Sequence, residues 1–544
     1  MPEEREEPAR PSEPRPRALG GLLLALFVMG TLLRLPTFGR QLLSDDEAIY
    51  ATTADALDRG DLLYRDVVDH KPPLIYHVYQ AGFALLGPYN THGAHALVVL
   101  AVLITAGFLL AIKRREEAED ARGAGVAAAA LFLVFSTTWH DYDALAANCE
   151  LFLLAPQTAA AWLLVRELRA PSGAGWAKHL VVGVLVGISA LFKYQGLTFL
   201  AAALGMPLFL AVLGRVSCVR AATLGLCQVS GALLPPALYL LWCAAAGNAA
   251  AAIDWFKFNF AYVGAGLAGL DALGRGLRRL GLVGGVALVP YALGLRAAAH
   301  AAAGLARVLR RRLRGLPLLD ADMPSPSAVL GLFWLAASAF AVATGGRFFG
   351  HYFHLVLAPL CLLAAPSFAR LWRARRSYRV TLAVLCVLPA LVFFALATVA
   401  RPLAAALDEG EPPYDVLAAR IAALTAPDER VFVWGNSPQL YVVARRPMGA
   451  RFSFCNYMTG ESPGTPTQSG AWDADKNRLP IAWDMLFADL ERRRPTLFVD
   501  AAAAGWDGYD KFPLARYPRL RAYVDRHYEP VETRAGVVLY RRRP

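Results

Sequence analysis

The first part of the chain is dominated by apolar runs long enough to cross a membrane. About 20 apolar residues span the hydrocarbon core of a bilayer, and runs near that length alternate with short polar loops up to about residue 400. The pattern predicts a polytopic α-helical membrane protein with about eleven transmembrane helices. The predicted spans are 18–38, 94–112, 121–139, 150–166, 179–195, 197–214, 221–246, 278–300, 327–344, 352–369 and 380–400.

A long polar loop, about 39–93, separates the first two predicted spans. Within it, the apolar spacing of Ala48 to Leu57 and of Leu74 to Leu86 predicts two short amphipathic helices on the membrane surface. Arg34, at the outer end of the first span, is expected to extend to the lipid headgroups. The segment 1–17 is rich in Pro, Glu and Arg, so it is expected to be disordered and cytoplasmic.

Beyond residue 401 the apolar runs shorten to the length of β-strands, and helical patterns lie between them. This alternation predicts a transmembrane domain over 18–400 followed by a small α/β domain over 401–544, outside the cytoplasm. The predicted strands are Val431 to Trp434, Thr496 to Val499 and Val537 to Tyr540; the predicted helices are Tyr414 to Leu424, Met485 to Arg494 and Leu514 to His527.

Composition agrees with a membrane protein and sets the orientation. The 544 residues are 56% hydrophobic, and the net charge is +12. The basic residues cluster in short loops between apolar runs, such as Lys113 to Arg115 and Arg307 to Arg314. This distribution is the positive-inside pattern of a cytoplasmic face rather than a nucleic-acid surface. The N-terminus is therefore expected inside, and no nucleic-acid partner is expected.

Three adjacent acids follow the first span. Asp45, Asp46 and Glu47 repel one another, which favours a raised pKa in one of them and a role as a general base. The same acids also suit the first turn of the short helix that follows them. Both interpretations stay open at this point.

Cations occur at three outer loops. Lys71 follows His70 and precedes two prolines that fix the direction of the chain, so it is a candidate for binding phosphate. Lys193 interrupts an apolar run, and Arg347 lies between glycines and aromatic residues. Each is also typical of a cation that reaches from a span end to the headgroups.

The remaining candidates are polar residues on the same side. His140 and Asp141 precede Asp143, and Asn148 with Glu150 opens the fourth span, where an acid also suits the helix dipole. No cysteine spacing indicates a metal site. Cys149 and Cys455 are both expected outside the cytoplasm, where they could pair, but two unpaired thiols are favoured. No cofactor is expected; a divalent metal stays open, but no ligand cluster indicates one. The other candidate substrate-binding residues are Tyr50, His70, Gln195, His351 and Tyr352.

The ordered set resembles the C-type superfamily of integral-membrane glycosyltransferases. The nearest branch holds protein O-mannosyltransferases and lipid A aminoarabinose transferases. The resemblance spans nearly the whole chain. The matching residues are Asp46-Glu47 with Tyr50, Lys71-Pro72-Pro73-Leu74, Asn148 with Glu150, Lys193 with Gln195, His351-Tyr352-Phe353 ahead of Pro359, and Val431 to Gly435 with Tyr441 and Arg451-Phe452.

The resemblance implies an inverting transfer from a polyprenyl-phosphate sugar to a hydroxyl of a lipid, glycan or protein acceptor. Asp46 would be the base, Lys71 would bind the departing phosphate, and Lys193 or Arg347 would assist it. The location implied is the outer face of a bacterial inner membrane. One departure concerns Ile49, because the aminoarabinose branch usually carries arginine at this position. Because Asp45 is adjacent to Asp46, either of these two residues could be the base.

Two other classes of protein share some of these features. A transporter or flippase of a lipid-linked precursor is expected to place charges at mid-membrane and to contain repeats. Here the charges lie mainly at span ends and no repeat is evident, which favours the enzyme. A non-catalytic assembly protein, with the outer α/β domain as a partner-binding module, is the third interpretation.

Overall fold

A computed structural model describes most of the chain. The described residues are 16–114, 121–138, 142–169, 175–264, 266, 268–319, 323–400, 412–461 and 477–544. The predicted disordered segment therefore lies almost wholly outside the described residues, and so do His140 and Asp141.

Fifteen helices precede residue 401 in the described part of the chain, apart from short 3₁₀ and π turns. They are α1 (Pro16–Leu33), α2 (Asp45–Asp58), α3 (Leu74–Leu86), α4 (His92–Arg114), α5 (Ala121–Phe135), α6 (Cys149–Arg169), α7 (Trp176–Phe192), α8 (Phe199–Val212), α9 (Cys218–Ala246), α10 (Ala249–Gly264), α11 (Gly269–Val286), α12 (Leu288–Leu313), α13 (Pro326–Ala343), α14 (His354–Ala374) and α15 (Arg376–Ala395).

Among the described residues, seven helical segments are long and apolar enough to cross a membrane, and an eighth results if a bent pair counts as one span. The chain is therefore a multi-pass membrane protein, as predicted, although the predicted number of eleven spans is not established. The predicted span 278–300 does not correspond to one helix. The chain bends by 108° between α11 and α12, because Ala287 leaves the helical conformation at φ −93°, ψ 40°.

The two short helices of the first outer loop occur where the sequence predicts them, but α2 does not lie open on a surface. Ser44 caps α2 by accepting a hydrogen bond from the Glu47 amide. Most of α2 is buried, including every residue from Glu47 to Ala56. It packs against α3 and against a short helix of the C-terminal domain, so protein rather than lipid covers it.

Arg34 also differs from expectation, because it does not extend to the headgroups. Its side chain is buried and donates hydrogen bonds to the backbone carbonyls of Ser136, Ala144 and Leu145. A buried guanidinium needs such acceptors, since an isolated buried charge is costly. Arg34 therefore fixes the segment that leads into α6, where Asp143 and Glu150 lie.

The C-terminal domain contains a four-stranded sheet, in agreement with the α/β pattern. The strands are β1 (Val431–Trp434), β2 (Leu497–Asp500), β3 (Tyr528–Arg534) and β4 (Val537–Arg542), and their order is β1-β2-β4-β3. β1 and β2 are parallel, whereas the other pairs are antiparallel. β3 is absent from the sequence prediction because its polar residues are mostly exposed. The main helices are α16 (Tyr414–Leu424), α17 (Gln439–Ala444), α18 (Asn456–Thr459), α19 (Pro480–Arg493) and α20 (Pro518–His527).

The C-terminal domain packs directly onto the first outer loop. The Val68 amide donates to the Arg451 carbonyl at 2.9 Å, and Arg493 donates to the Asp66 carbonyl at 2.6 Å. Arg493 also forms an ion pair with Asp61 at 3.2 Å. These contacts fix the loop segment just before Lys71, so the sheet domain helps to position one of the candidate site residues.

Candidate active site

The first outer loop brings its acidic and basic candidates into direct contact. Lys71 donates from Nζ to Asp46 Oδ1 at 2.7 Å, although 25 residues separate the two. Asp46 lies in the first turn of α2, which Ser44 caps, and Lys71 lies just before the prolines that lead into α3. Tyr50, one helical turn beyond Asp46, donates its hydroxyl to Asp46 Oδ2 at 3.3 Å. The Lys71 ammonium also lies 4.6 Å from the centre of the Tyr50 ring.

This ion pair determines the charge of both groups. Burial alone would raise the pKa of Asp46, but Lys71 and His351 more than offset it, so the pKa lies below its usual range. Burial would lower the pKa of Lys71, yet Asp46 and Asp69 together hold this pKa well above its usual range. Asp46 is therefore a carboxylate and Lys71 an ammonium at neutral pH.

Asp45 has the opposite electrostatic character. Asp45 retains solvent-exposed surface, but partial desolvation of its carboxyl, together with the neighbouring charges of Asp507 and Asp46, raises the pKa of Asp45 to about 7. Gln439 of the C-terminal domain donates to Asp45 at 2.5 Å. Asp45 and Asp46 are adjacent in sequence, but they differ in partner and in protonation.

A second ion pair joins the next two predicted residues. Lys193, at the end of α7, donates to Glu150 Oε1 at 2.5 Å, and Glu150 lies in the first turn of α6. Both side chains are nearly buried, with 12% and 1% exposed. The Lys193 ammonium also lies 4.0 Å from the centre of the Tyr352 ring. A buried ion pair of this kind needs such additional contacts to offset its desolvation.

His351 connects the two ion pairs. Its Nδ1 donates to Asp143 at 2.7 Å, and its amide donates to the other oxygen of Asp143 at 3.2 Å. Its Nε2 lies 4.0 Å from Asp46 and 3.9 Å from Glu150. Asp143 therefore fixes the imidazole, and the opposite ring nitrogen faces both carboxylates. Residues from five separate parts of the chain converge here in one polar cluster.

Several other predicted site residues lie at the edge of this cluster. Asn148 donates to Asp143 at 3.2 Å. Gln195 donates to the Ala341 carbonyl at 2.7 Å. Arg347 donates to the Tyr262 carbonyl, and its guanidinium stacks 3.6 Å from the Tyr262 ring. His70 lies against the same ring, at 4.4 Å between centroids, and 3.0 Å from Asp69. The contacts of these residues favour a role in shaping the surroundings of the cluster rather than direct contact with Asp46.

Glu47 is separated from this cluster. Its carboxylate is fully buried and accepts hydrogen bonds from the Leu43 amide at 2.7 Å, the Ala147 amide at 2.6 Å and His95 Nε2 at 3.0 Å. With three donors the carboxylate has little capacity left for an acceptor substrate. Glu47 therefore ties the start of α2 to α4 and to the segment before α6. The Ser-x-x-Glu capping pattern at Ser44 is a sequence signal only for the local bond at the start of α2, where the Leu43 amide is the donor.

We expect Glu47→Gln to destabilise the protein, because the amide presents an N–H group to donors that now meet a carboxylate oxygen. The free energy of unfolding should fall by about 1–3 kcal/mol, the cost of unsatisfied buried polar groups. Thermal unfolding in a mild detergent measures the effect, with Asp58→Asn on the exposed end of α2 as the matched control. If Glu47→Gln unfolds like the wild type yet loses activity, Glu47 acts in the chemistry instead.

Two residues of the site are absent from the sequence prediction. Gln439 contacts Asp45 from a position 394 residues away, so local pattern gives no signal for it. Asp69 accepts from the Tyr76 hydroxyl at 2.8 Å and from the His70 amide at 2.7 Å. Burial would raise the pKa of Asp69, but Lys71 and His70 hold the pKa below its usual range. Asp69 is thus a second carboxylate facing Lys71, and its place two residues before the lysine is the signal that could have identified it.

Thiol and metal chemistry are separate questions. The Tyr50 hydroxyl lies 3.4 Å from Cys149 Sγ, and both Cys149 and Cys455 are free thiols, as expected. Among the described residues, no group of three or more His, Cys, Asp or Glu is arranged to hold a metal ion.

The fold and the segment that carries the second ion pair both match known proteins. Over 97% of this chain and 98% of the other, the fold is similar to ArnT from Cupriavidus metallidurans bound to undecaprenyl phosphate, with a TM-score of 0.56 and 15% identity. It is also similar to the archaeal oligosaccharyltransferase AglB from Archaeoglobus fulgidus in complex with an inhibitory peptide and a dolichol-phosphate, with a TM-score of 0.51, 15% identity, and coverage of 96% and 74%. The chain therefore shares its fold with these two proteins.

The family comparison is more specific. Residues 70–242 match the family described as dolichyl-phosphate-mannose-protein mannosyltransferase. This segment includes Lys71, Glu150 and Lys193. The resemblance to C-type glycosyltransferases of the O-mannosyltransferase and aminoarabinose transferase branch is therefore confirmed. No curated protein matches the sequence significantly.

Proposed function

We propose that this protein is an inverting glycosyltransferase that moves a sugar from a polyprenyl-phosphate donor to an acceptor hydroxyl. The observation that carries the proposal is the contact of Asp46 with Lys71 at 2.7 Å, next to His351 and the Glu150–Lys193 pair. Such a reaction needs a base for a weakly acidic hydroxyl and cations for a departing phosphate. Asp46 supplies the first, and Lys71 with Lys193 supplies the second.

The ion pairs describe the protein before donor binding. In an inverting displacement the nucleophile and the leaving group lie on opposite faces of the sugar. Asp46 and Lys71 must therefore separate when the donor phosphate enters, and Lys71 exchanges the carboxylate for the phosphate. That exchange removes the charge that lowers the pKa of Asp46, so Asp46 becomes a stronger base when the donor is in place. His351, held by Asp143, orients both carboxylates.

The cell-envelope location and the acceptor belong to the same proposal. The positive-inside pattern supports a cytoplasmic N-terminus, with the cluster and the C-terminal domain at the outer face of a bacterial inner membrane. The lipid phosphates in the two similar structures support a lipid-linked donor. Gln439 places the C-terminal domain beside Asp45, so this domain borders the side from which an acceptor reaches Asp46. A lipid, glycan or protein hydroxyl fits this arrangement.

The direct test is a transfer assay of the purified full-length chain. A panel of polyprenyl-phosphate sugars is incubated with candidate lipid, glycan and peptide acceptors, and products are identified by mass spectrometry. We expect a sugar-bearing acceptor and free polyprenyl phosphate in equal amounts. If no donor is consumed, and proteoliposomes instead move the intact lipid-linked sugar between leaflets, the protein is a transporter and the proposal fails.

The pH profile of kcat/KM distinguishes the two adjacent candidate bases. Since the pKa of Asp46 lies below its usual range, a reaction that uses Asp46 should keep its rate as the pH falls from 8 to about 5. A reaction that uses Asp45, whose pKa is about 7, should lose about tenfold for each pH unit below 7. The donor phosphodiester carries one charge throughout this range. We expect the flat profile, in Asp45→Asn as in the wild type.

A further inference from the structure

His351 lies between the two carboxylates that hold the lysines of the candidate active site. Its Nε2 is 4.0 Å from Asp46 Oδ2 and 3.9 Å from Glu150 Oε1. Asp46 pairs with Lys71, and Glu150 pairs with Lys193. This ring nitrogen is therefore next to the proposed base and next to the carboxylates that a donor phosphate has to displace from the two lysines.

The opposite ring nitrogen is fixed by Asp143. His351 Nδ1 donates to Asp143 Oδ1 at 2.7 Å, and the His351 amide donates to Oδ2 at 3.2 Å. Asn148 donates to Oδ1 of the same carboxylate at 3.2 Å. Because the carboxylate holds the Nδ1 proton, Nε2 is the nitrogen that can gain or lose one. The His351 side chain is largely buried, so its proton partners are chiefly the groups around it.

The proposed transfer moves one proton as well as one sugar. The acceptor oxygen bonds to the anomeric carbon and its proton goes to Asp46, while the bond between that carbon and the phosphate oxygen breaks. The departing phosphate then carries two negative charges instead of one. A phosphate monoester takes up a proton with a pKa of about 6, which is close enough to neutral pH for transfer from an imidazolium. A proton on this oxygen offsets charge that the lysines alone would have to stabilise.

We propose that His351 carries the proton from Asp46 to the departing phosphate, a role that rests on the glycosyltransferase reaction proposed above. Charged His351 donates the Nε2 proton to the phosphate oxygen as the bond to the sugar breaks. The neutral ring then takes up the acceptor's proton from Asp46, which restores the imidazolium and the carboxylate. The products are the glycosylated acceptor and a polyprenyl phosphate that keeps one proton and one negative charge, so no proton is gained or lost overall.

The positions of these groups suit both transfers. A phosphate that replaces a carboxylate on Lys71 or Lys193 lies near the present place of Asp46 or Glu150, and both carboxylates are within 4.0 Å of Nε2. Such distances in a structure without substrate commonly shorten when the reacting complex forms. The Asp46 side chain is 26% exposed, whereas those of His351, Lys71 and Lys193 are 10%, 10% and 12% exposed. The base thus faces the open side of the cluster, and the proton passes inward toward the lysines.

The pH profile gives the first test, because His351 has to start the reaction with its proton. The charged groups that face it are Asp143, Asp46, Glu150 and Lys193. We expect kcat/KM of the wild type to fall on the alkaline side of the flat range that Asp46 produces, as the ring loses its proton. Asp143→Asn removes one negative charge from the ring, so this alkaline limb should move to lower pH by about 1 to 3 pH units.

Loss of the ring is the second test. His351→Asn retains a side-chain N–H group for Asp143 but has no group at the position of Nε2. Single-turnover transfer at saturating donor and acceptor should fall by about 10²- to 10⁴-fold, the usual contribution of a positioned acid or base. Imidazole added to the His351→Ala protein should restore part of this rate, and the restoration should weaken as imidazole loses its proton at higher pH. His77→Asn is the matched control, since His77 is exposed on α3 and contacts Gln80.

The outcomes separate this role of His351 from the reaction itself. If His351→Asn transfers sugar at the wild-type rate, the proton route through His351 is overturned and the glycosyltransferase proposal stands. If the wild type consumes no donor, both proposals fail together. The pH measurements need no His351 variant to fold: a wild-type profile without an alkaline limb, or a limb that Asp143→Asn leaves in place, would also overturn the proton route.

Discussion

Replacement of Asp46 by asparagine is expected to lower kcat for sugar transfer by about 10²- to 10⁴-fold, the usual contribution of a positioned general base. Asparagine keeps the shape of the side chain and still accepts a hydrogen bond from Lys71, but it cannot take a proton from the acceptor hydroxyl. Single-turnover transfer with saturating donor and acceptor measures the effect, because it isolates the chemical step from product release. Binding of the donor should change much less than kcat.

Asp45→Asn is the matched control for this variant. The two acids are neighbours on α2, yet Asp45 accepts from Gln439 whereas Asp46 pairs with Lys71. We expect Asp45→Asn to retain kcat within about tenfold, since the pKa of Asp45 is raised to about 7 and its carboxyl is only partly ionised near neutral pH. Full activity of a correctly folded Asp46→Asn protein would reject Asp46 as the base, and the reverse order of effects would assign the role to Asp45.

The sequence predicts most accurately the helices and strands whose ends carry a local residue signal, such as proline. The two prolines before Leu74 favour a helix start, and α3 covers Leu74–Leu86 as predicted. The strand Val431–Trp434 and the helix Tyr414–Leu424 also have their predicted bounds. By contrast, the break between α11 and α12 at Ala287 lies within a continuous apolar pattern, although Gly284 and Gly285 before it and Pro290 in the first turn of α12 are local signals for it. Hydropathy alone therefore joins two helices that bend by 108°.

Long-range contacts determine the roles of residues whose partners cannot be identified from the sequence. Hydropathy predicts that Arg34 extends to the lipid headgroups. The carbonyls that accept its hydrogen bonds lie 102 to 111 residues away along the chain. Glu47 looks like a third catalytic acid in a row of three, yet His95 and the Ala147 amide, 48 and 100 residues away, hold it in the core. In both cases the residue type is evident from the sequence, and the partner that sets its role is not.

The residues of the candidate active site can also be identified from the sequence, whereas their pairing cannot. Charge type and order along the chain indicate Asp46, Lys71, Glu150, Lys193 and His351 as candidates. The pairing of Lys193 with Glu150, across 43 residues, depends on how α6 and α7 pack. It also changes the chemical interpretation, because both lysines start out neutralised and donor phosphate must compete with a carboxylate for each of them. In the proposed reaction, binding of the donor is therefore an exchange of ion partners rather than a simple attraction.

That exchange gives Lys71→Met two measurable consequences. The KM for the donor should rise by about 10- to 150-fold, since a charge-assisted hydrogen bond to phosphate contributes about 1.5–3 kcal/mol. Methionine keeps an unbranched side chain against the Tyr50 ring, so packing changes little. The second consequence concerns Asp46, whose pKa is held down by Lys71. Without the ammonium, burial dominates and the pKa of Asp46 rises.

The pH profile therefore separates this mechanism from a merely structural lysine. In Lys71→Met, kcat/KM should fall on the acid side as the pH drops through the raised pKa of Asp46, a limb that the wild type lacks between about pH 5 and 8. Lys257→Met is the matched control, because Lys257 lies exposed on α10 and pairs only loosely with Asp254 at 3.5 Å. An unchanged donor KM in Lys71→Met would exclude a phosphate role for Lys71. A raised donor KM with a flat pH profile would mean that Lys71 binds the phosphate but does not set the pKa of Asp46. Removal of the ammonium charge would then have no effect on the group that accepts the proton.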